Sequence, residues 1–243
     1  MKSKSLLMTM MLTAYASIIF TACSKEEAEP NPALDKYQVT LKTGQSTTVT
    51  YTGQGSCQWS SDEPLIATVE DGVIKGVRVG KTKIHANDLV CNVTVTPSYT
   101  RYYEPCTEWN CSKNKVMSYM SEYSLYGDSS ENPLMYYGTG SVIAYMYDFN
   151  DSNKLESSFM AIELSDADYI ADFLVERYVF AHYDDEYFYF ISVDDKSFIT
   201  LAVTYQYLAV LYMPYESSTK SHIDFEMAKT RMNEMLTNVI SNE

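Results

Sequence analysis

Between residues 37 and 97 the chain is cut into pieces that suit strands and little else. YQVTL, STTVTY, CQWSS, IATVE, GVIKGV, KTKIHA and VCNVTV are short and rich in β-branched residues, with Gly, Asp or Pro between them. Branched side chains are stiff at χ1 and pack well on a pleated surface. In VCNVTV, Cys91, Val93 and Val95 share one side, and Asn92, Thr94 and Thr96 the other. Asp71-Gly72 favours a tight hairpin turn with positive φ. Trp59 is large enough to fill the space between two sheets. Such strands at this spacing predict an all-β sandwich over 37–97.

WSSDEPLIATVEDGVIKGVRVGKTKI, Trp59 to Ile84, resembles the group 2 bacterial immunoglobulin-like domain. The match runs in order through Trp59, Ser60, Ser61, Asp62, Ala67, Thr68, Val69, Gly72, Gly76, Gly80, Thr82 and Ile84. The resemblance implies an Ig-like spacer or adhesive module on a bacterial surface, not an enzyme.

Pro97 ends this region, and 19 of the 22 tyrosines lie beyond Ser98. Three helical patterns follow. SKNKVMSYMSEY places Val116, Met120 and Tyr123 on one face behind an N-cap at Ser112. SDADYIADFLVERY opens with Ser165-x-x-Asp168 as a capping box. SHIDFEMAKTRMNEMLTNVI offers Ser221-x-x-Asp224 and then Phe225, Ala228, Met232, Met235 and Val239. Strand segments lie between them: LMYYG, SVIAYMYDF and LESSFMAIEL, then VFAHYD, EYFYFISVD and SFITLAVTYQYLAVLYM. Residues 98–243 therefore read as an α+β domain with an antiparallel sheet, in an order that admits a duplicated αβββ unit. The chain is multidomain.

The N-terminus concerns address. Lys2 and Lys4 precede an apolar run from Leu6 to Phe20. That run is shorter than the roughly 20 residues of a membrane span. A basic start, a short apolar core and small residues make a secretory signal over 1–22. Phe20-Thr21-Ala22-Cys23 resembles the lipobox of bacterial lipoproteins, with Phe where Leu is commoner. The resemblance implies lipidation of Cys23, a diacylglyceryl group and palmitate-type chains included. Each buried CH₂ contributes about 0.8 kcal/mol, so two or three chains anchor durably. Ser24-Lys25-Glu26-Glu27 resembles the signal for surface display on the outer membrane; the periplasmic face is the alternative. Residues 23–36 have almost no apolar content and contain Pro30 and Pro32, which predicts a disordered tether. After cleavage, 16 basic and 32 acidic residues remain, a net charge of −16. Nucleic acid and anionic lipid head groups are disfavoured as partners.

Four cysteines follow Cys23, and an exported compartment permits disulfides. Cys57 shares the core-facing parity of Trp59, and Cys91 that of Val93, so we expect a Cys57–Cys91 bridge. It would close about 35 residues and stabilise by roughly 3–4 kcal/mol. Cys106 and Cys111 suit a small disulfide loop, and no CxxC redox pair exists.

For binding, Tyr145 and Tyr147 alternate on one strand and Tyr187 and Tyr189 on another. Rings on a sheet face can stack on sugars or anchor a protein, or they can pack as a core. Asp184-Asp185-Glu186 and Asp194-Asp195 supply paired acids, but at turns. Asp148-x-Asn150 begins like a calcium loop and lacks the later glycine and the spaced glutamate. The three histidines are scattered, and no Gly-x-Ser-x-Gly element occurs. We therefore expect no catalytic residue, no metal and no cofactor. The expected function is surface binding or adhesion, with the Ig-like module as spacer and the second domain as reader of a glycan or protein. The alternatives are an extracytoplasmic hydrolase using the second domain's acids, or an inhibitor or assembly factor acting through its sheet.

Overall fold

The computed structural model describes residues 31–215 and 225–241. The signal run, Cys23 and the Ser221-x-x-Asp224 cap lie outside them. The first region holds β1 (Gln38–Lys42), β2 (Ser46–Thr48), β3 (Trp59–Ser61), β4 (Ala67–Glu70), β5 (Val73–Gly76), β6 (Gly80–Ala86) and β7 (Leu89–Thr96). They form a four-stranded sheet in the order β1-β7-β6-β3 and a three-stranded sheet in the order β2-β5-β4. β1 pairs with β7 in parallel; the remaining pairs are antiparallel. Val39, Leu41, Ile84, Cys91, Val93 and Val95 from one sheet meet Ala67 and Ile74 from the other in a single core. Asp71 and Gly72 both have positive φ, as the β4–β5 hairpin requires. A Cβ on Gly72 would come within 2.4 Å of the Val49 carbonyl, so the site admits only glycine. The expected tether is shorter than read. Leu34 is buried and bridges to Tyr51, and Thr52 donates to the Ala33 carbonyl, so residues 33–35 are docked on the sheets.

The second region is built on α1 (Lys113–Tyr119), β8 (Leu125–Tyr126), β9 (Leu134–Tyr137), β10 (Val142–Phe149), β11 (Leu155–Glu163) and α2 (Ala167–Val175). β12 (Tyr178–Tyr183), β13 (Tyr187–Ser192), β14 (Ser197–Val203), β15 (Tyr207–Pro214) and α3 (Phe225–Ser241) complete it. Its eight strands run β12-β13-β14-β15-β11-β10-β9-β8, all antiparallel. Two four-stranded meanders thus meet at β11 and β15, each preceded by a helix. The repeated unit is αββββ rather than αβββ. SFITLAVTYQYLAVLYM is a hairpin and not one strand: it turns at Thr204, whose hydroxyl accepts from the Gln206 and Tyr207 amides.

Helices cover both faces of this sheet. Val116 and Met120 of α1 and Ile170, Phe173 and Leu174 of α2 pack on one face, while Ala228, Met232, Met235 and Val239 of α3 pack on the other. Ser112 caps α1 by accepting from the Lys115 amide. The expected capping box at α2 is absent, because a 3-10 turn over Leu164–Asp166 precedes the helix. Asp166, which stands at the N-cap, is engaged instead by Arg101 and the Tyr102 hydroxyl.

The two regions are joined by one buried carboxylate. Glu176, at the end of α2, accepts from Thr43 Oγ1 (2.6 Å) and from the amides of Ser98 (2.8 Å) and Tyr99 (3.0 Å). Arg177, also buried, pairs with it. Val79 donates its amide to the Glu176 carbonyl at 2.8 Å.

Candidate functional site: the free end of the eight-stranded sheet

The four tyrosines expected to read a ligand are core residues. Tyr145 and Tyr147 are buried beneath α1. Tyr147 donates to the Met120 sulfur (3.0 Å) and Tyr145 to the Tyr103 carbonyl (3.0 Å). Tyr187 and Tyr189 lie on the opposite face, against α3. The Tyr189 ring is 4.6 Å from that of Phe225, and its hydroxyl donates to Asp184 at 2.9 Å. The two pairs therefore cannot form one reading surface. Alternation shows that two rings share a face; it does not show what covers that face.

The expected disulfides are not formed either. Cys57, Cys91, Cys106 and Cys111 are free thiols. The parity argument for Cys57 and Cys91 was sound, since both join the same core. But β6 lies between β3 and β7, and the residue of β3 level with Cys91 across Ile84 is Ser61; Cys57 lies four residues before it, outside the strand. That offset exceeds the reach of a bridge. Cys111 is pushed up to about 11, first by burial and then by the neighbouring Cys106.

The acid clusters stabilise turns and helix docking. Burial raises the Asp184 carboxyl, but Lys229, the Tyr189 hydroxyl and the Tyr187 amide outweigh it and hold it below the ordinary range. Asp194 is held down likewise by Ser192 and Lys196 against burial. Asp148 pairs with Arg231 of α3 at 2.6 Å. Every carboxyl with a resolved shift, Asp35, Asp128, Asp166, Asp184 and Asp194, moves downward. A general acid needs the opposite shift. Among the described residues no group of three or more His, Cys, Asp or Glu is placed to hold a metal.

Of the concave places among the described residues, two bear on a ligand. One, of about 440 Å³, lies at the junction of the two regions between Glu63, Lys81, Glu104, Arg177, Tyr178 and Asp194. Its charges are largely engaged with one another. Arg177 faces Glu104 at 3.5 Å, Tyr178 donates to Glu104, and Asp194 pairs with Lys196 at 3.1 Å. The other is where β12, β13 and β14 run past the end of α2. There Phe180 is 52%, Tyr183 44% and Val203 58% exposed, and Tyr205 at the β14–β15 turn is fully exposed. Tyr183 packs on Phe188 at 4.6 Å, and Phe180 on Phe190 at 5.7 Å. A cleft of about 380 Å³ beside them reaches round the sheet end to α3: Tyr183, Phe188 and Val203 line it with Tyr187, one of the four expected tyrosines, and with Asn233 and Leu236. Large apolar side chains left open together mark interaction surfaces.

The sequence matches no protein-family model and no curated protein. Phe180 and Tyr183 were missed because their strand, VFAHYD, reads like its neighbours. An irregularity of register between Phe180 and His182 also breaks the alternation that singled out the other pairs.

Proposed function

We propose that this chain is a lipid-anchored binding protein of a bacterial cell envelope, displayed at the outer membrane surface. The first region is its Ig-like base, and the second region is its reader. The observation that carries the reading is the open aromatic end of the eight-stranded sheet, at Phe180, Tyr183, Phe188 and Val203. Helices pack on both faces of the rest of that sheet, where Tyr137 of β9 is also open, but only β12 leaves two large rings, Phe180 and Tyr183, exposed on one strand among the described residues. The Glu176 joint supports a further point: the base holds the reader at a set angle instead of swinging as a loose spacer. The lipobox-like run before Cys23 supports the anchor. Among the described residues no helix is long and apolar enough to cross a membrane.

Two measurements test this. Cys23→Ser is expected to lose metabolic lipid labelling and leave the membrane fraction or remain uncleaved; unchanged labelling rejects the anchor. Phe180→Ala with Tyr183→Ala is expected to abolish binding of intact cells to glycan or protein arrays while the fold persists. Binding that survives both changes rejects this surface as the reader.

A further inference from the structure

β12 is an outer strand of the eight-stranded sheet, and its far side is occupied only where it begins. The Val79 amide donates to the Glu176 carbonyl (2.8 Å), and Arg78 Nε donates to the Tyr178 carbonyl (3.2 Å). These contacts place the Glu176 and Tyr178 carbonyls on the outer side. In a strand, alternate residues turn their N–H and C=O the same way. Phe180 therefore presents both groups on that side, next in line after Tyr178. Among the described residues no hydrogen bond reaches the backbone of Phe180 from there. Proline and lysine, two devices that blunt an exposed edge, do not occur between Val179 and Tyr183; the register irregularity between Phe180 and His182 is a bulge that a docking strand must follow.

Beyond the strand, Asp185 and Glu186 are exposed and form no ion pair among the described residues. Asp184 differs, being tied to Lys229 at 2.9 Å. On the flank lie the rings of Phe180 and Tyr183. An unpaired backbone edge, an apolar flank and a terminal negative charge thus occur together.

We propose that the outer edge of β12, from Val179 to Tyr183, is a docking site for one extended strand of a partner protein, with the Val79 loop as its stop and Asp185 and Glu186 receiving a basic residue. This rests on the binding reading above and names the partner class. Main-chain bonds supply attachment in such strand addition, and flanking pockets supply choice. A glycan lacks the regular spacing of donors and acceptors that this edge matches. Antiparallel pairing of two β12 strands would bring each copy's Asp185–Glu186 turn to the other's Arg78 and Lys81, so a concentration-dependent dimer lost in Asp185→Lys/Glu186→Lys would overturn the partner assignment in favour of a second copy.

The test pans the full chain, purified in detergent, against a displayed library of random peptides. The expected winners are β-branched and carry Lys or Arg toward one end. Phe180→Pro removes an outward N–H without touching the bonds to β13. It and the Asp185→Lys/Glu186→Lys pair are each expected to weaken a synthetic winner at least about tenfold. N-methylation of alternate residues in the peptide is expected to do the same, and this does not depend on any variant folding. Hydrogen exchange of the Phe180 amide is expected to slow in the complex. Failure to enrich any peptide, or winners indifferent to N-methylation, overturns the proposal. Glycan binding lost in Phe180→Ala and Tyr183→Ala, with no peptide enriched, overturns strand docking and leaves the broader binding reading standing.

Discussion

The two ends of the eight-stranded sheet are made of the same material and live in different surroundings. At the β9–β10 end, Tyr136, Tyr145 and Tyr147 stand in a row, and α1 lies over them. At the β12–β13 end, Phe180, Tyr183 and Phe188 stand in a similar row beyond the reach of α2. α1 is set by Ser112, whose carbonyl and hydroxyl hold its first turn over β10 and β11. α2 runs nine residues and stops at Glu176, which is pulled into the joint with the first region. The joint that fixes one region to the other thus stands at the end of α2, and the chain enters β12 two residues later at Tyr178. Aromatic content says that a strand has something to bury; where the neighbouring helix ends decides whether it is buried.

The comparison breaks most visibly under large-to-small substitution. Tyr147→Ala empties a fully buried site and removes a hydroxyl that also accepts from the Cys106 amide. It is expected to cost about 3–5 kcal/mol, read as a shift in the urea midpoint. A loss below about 1 kcal/mol would mean that the α1 face is not packed as described.

Glu176→Ala attacks the joint. It removes the acceptor of two amides and takes one of two carboxylates from Arg177, which keeps Glu104 and two backbone carbonyls, so a loss of about 1–3 kcal/mol is expected. Calorimetry should then resolve the single transition into two, one per region. One unaltered transition would show that the regions are coupled by something other than this carboxylate.

Alkaline pH tests the covered rings. Burial, first among the causes, pushes the hydroxyls of Tyr147, Tyr178 and Tyr212 well above the ordinary phenol value. For such a group the unfolded state ionises first. The stability it contributes is complete below about pH 10 and is lost as pH rises above the unfolded value. Stability should therefore hold to about pH 9 and fall beyond pH 10, as followed by urea midpoints across that range. A urea midpoint that stays level well above pH 10 would contradict the burial of these three hydroxyls.

Tyr183→Ala gives the smallest effect. An exposed ring held by one neighbour is expected to change stability by no more than about 0.5–1 kcal/mol. A loss matching that of Tyr147→Ala would erase the difference between the ends.

Much of the architecture was legible in residues. The short β-branched runs, Asp71-Gly72 and the Cys91–Val93–Val95 alternation prescribe strands, a hairpin and a buried face, because these follow from side-chain sterics within a few residues. Ser112 as a cap and Val116 with Met120 as an apolar stripe are equally local. The acidic balance and the run ending at Cys23 belong to the sequence alone. What tertiary structure decided is everything that depends on lateral order. Cys57 and Cys91 share a face, yet a strand intervenes between them. Tyr145 and Tyr189 alternate alike, yet look to opposite helices. Ser165 and Asp168 spell a capping box, yet Arg101 and Tyr102, some 65 positions away, engage Asp166 and the helix begins elsewhere. Alternation and capping are read along the chain, whereas strand order and helix cover are set by distant partners whose contacts leave no mark on local spacing. The bare edge of β12 is the sharpest case, because being outermost is a property of the whole sheet and of no residue in it.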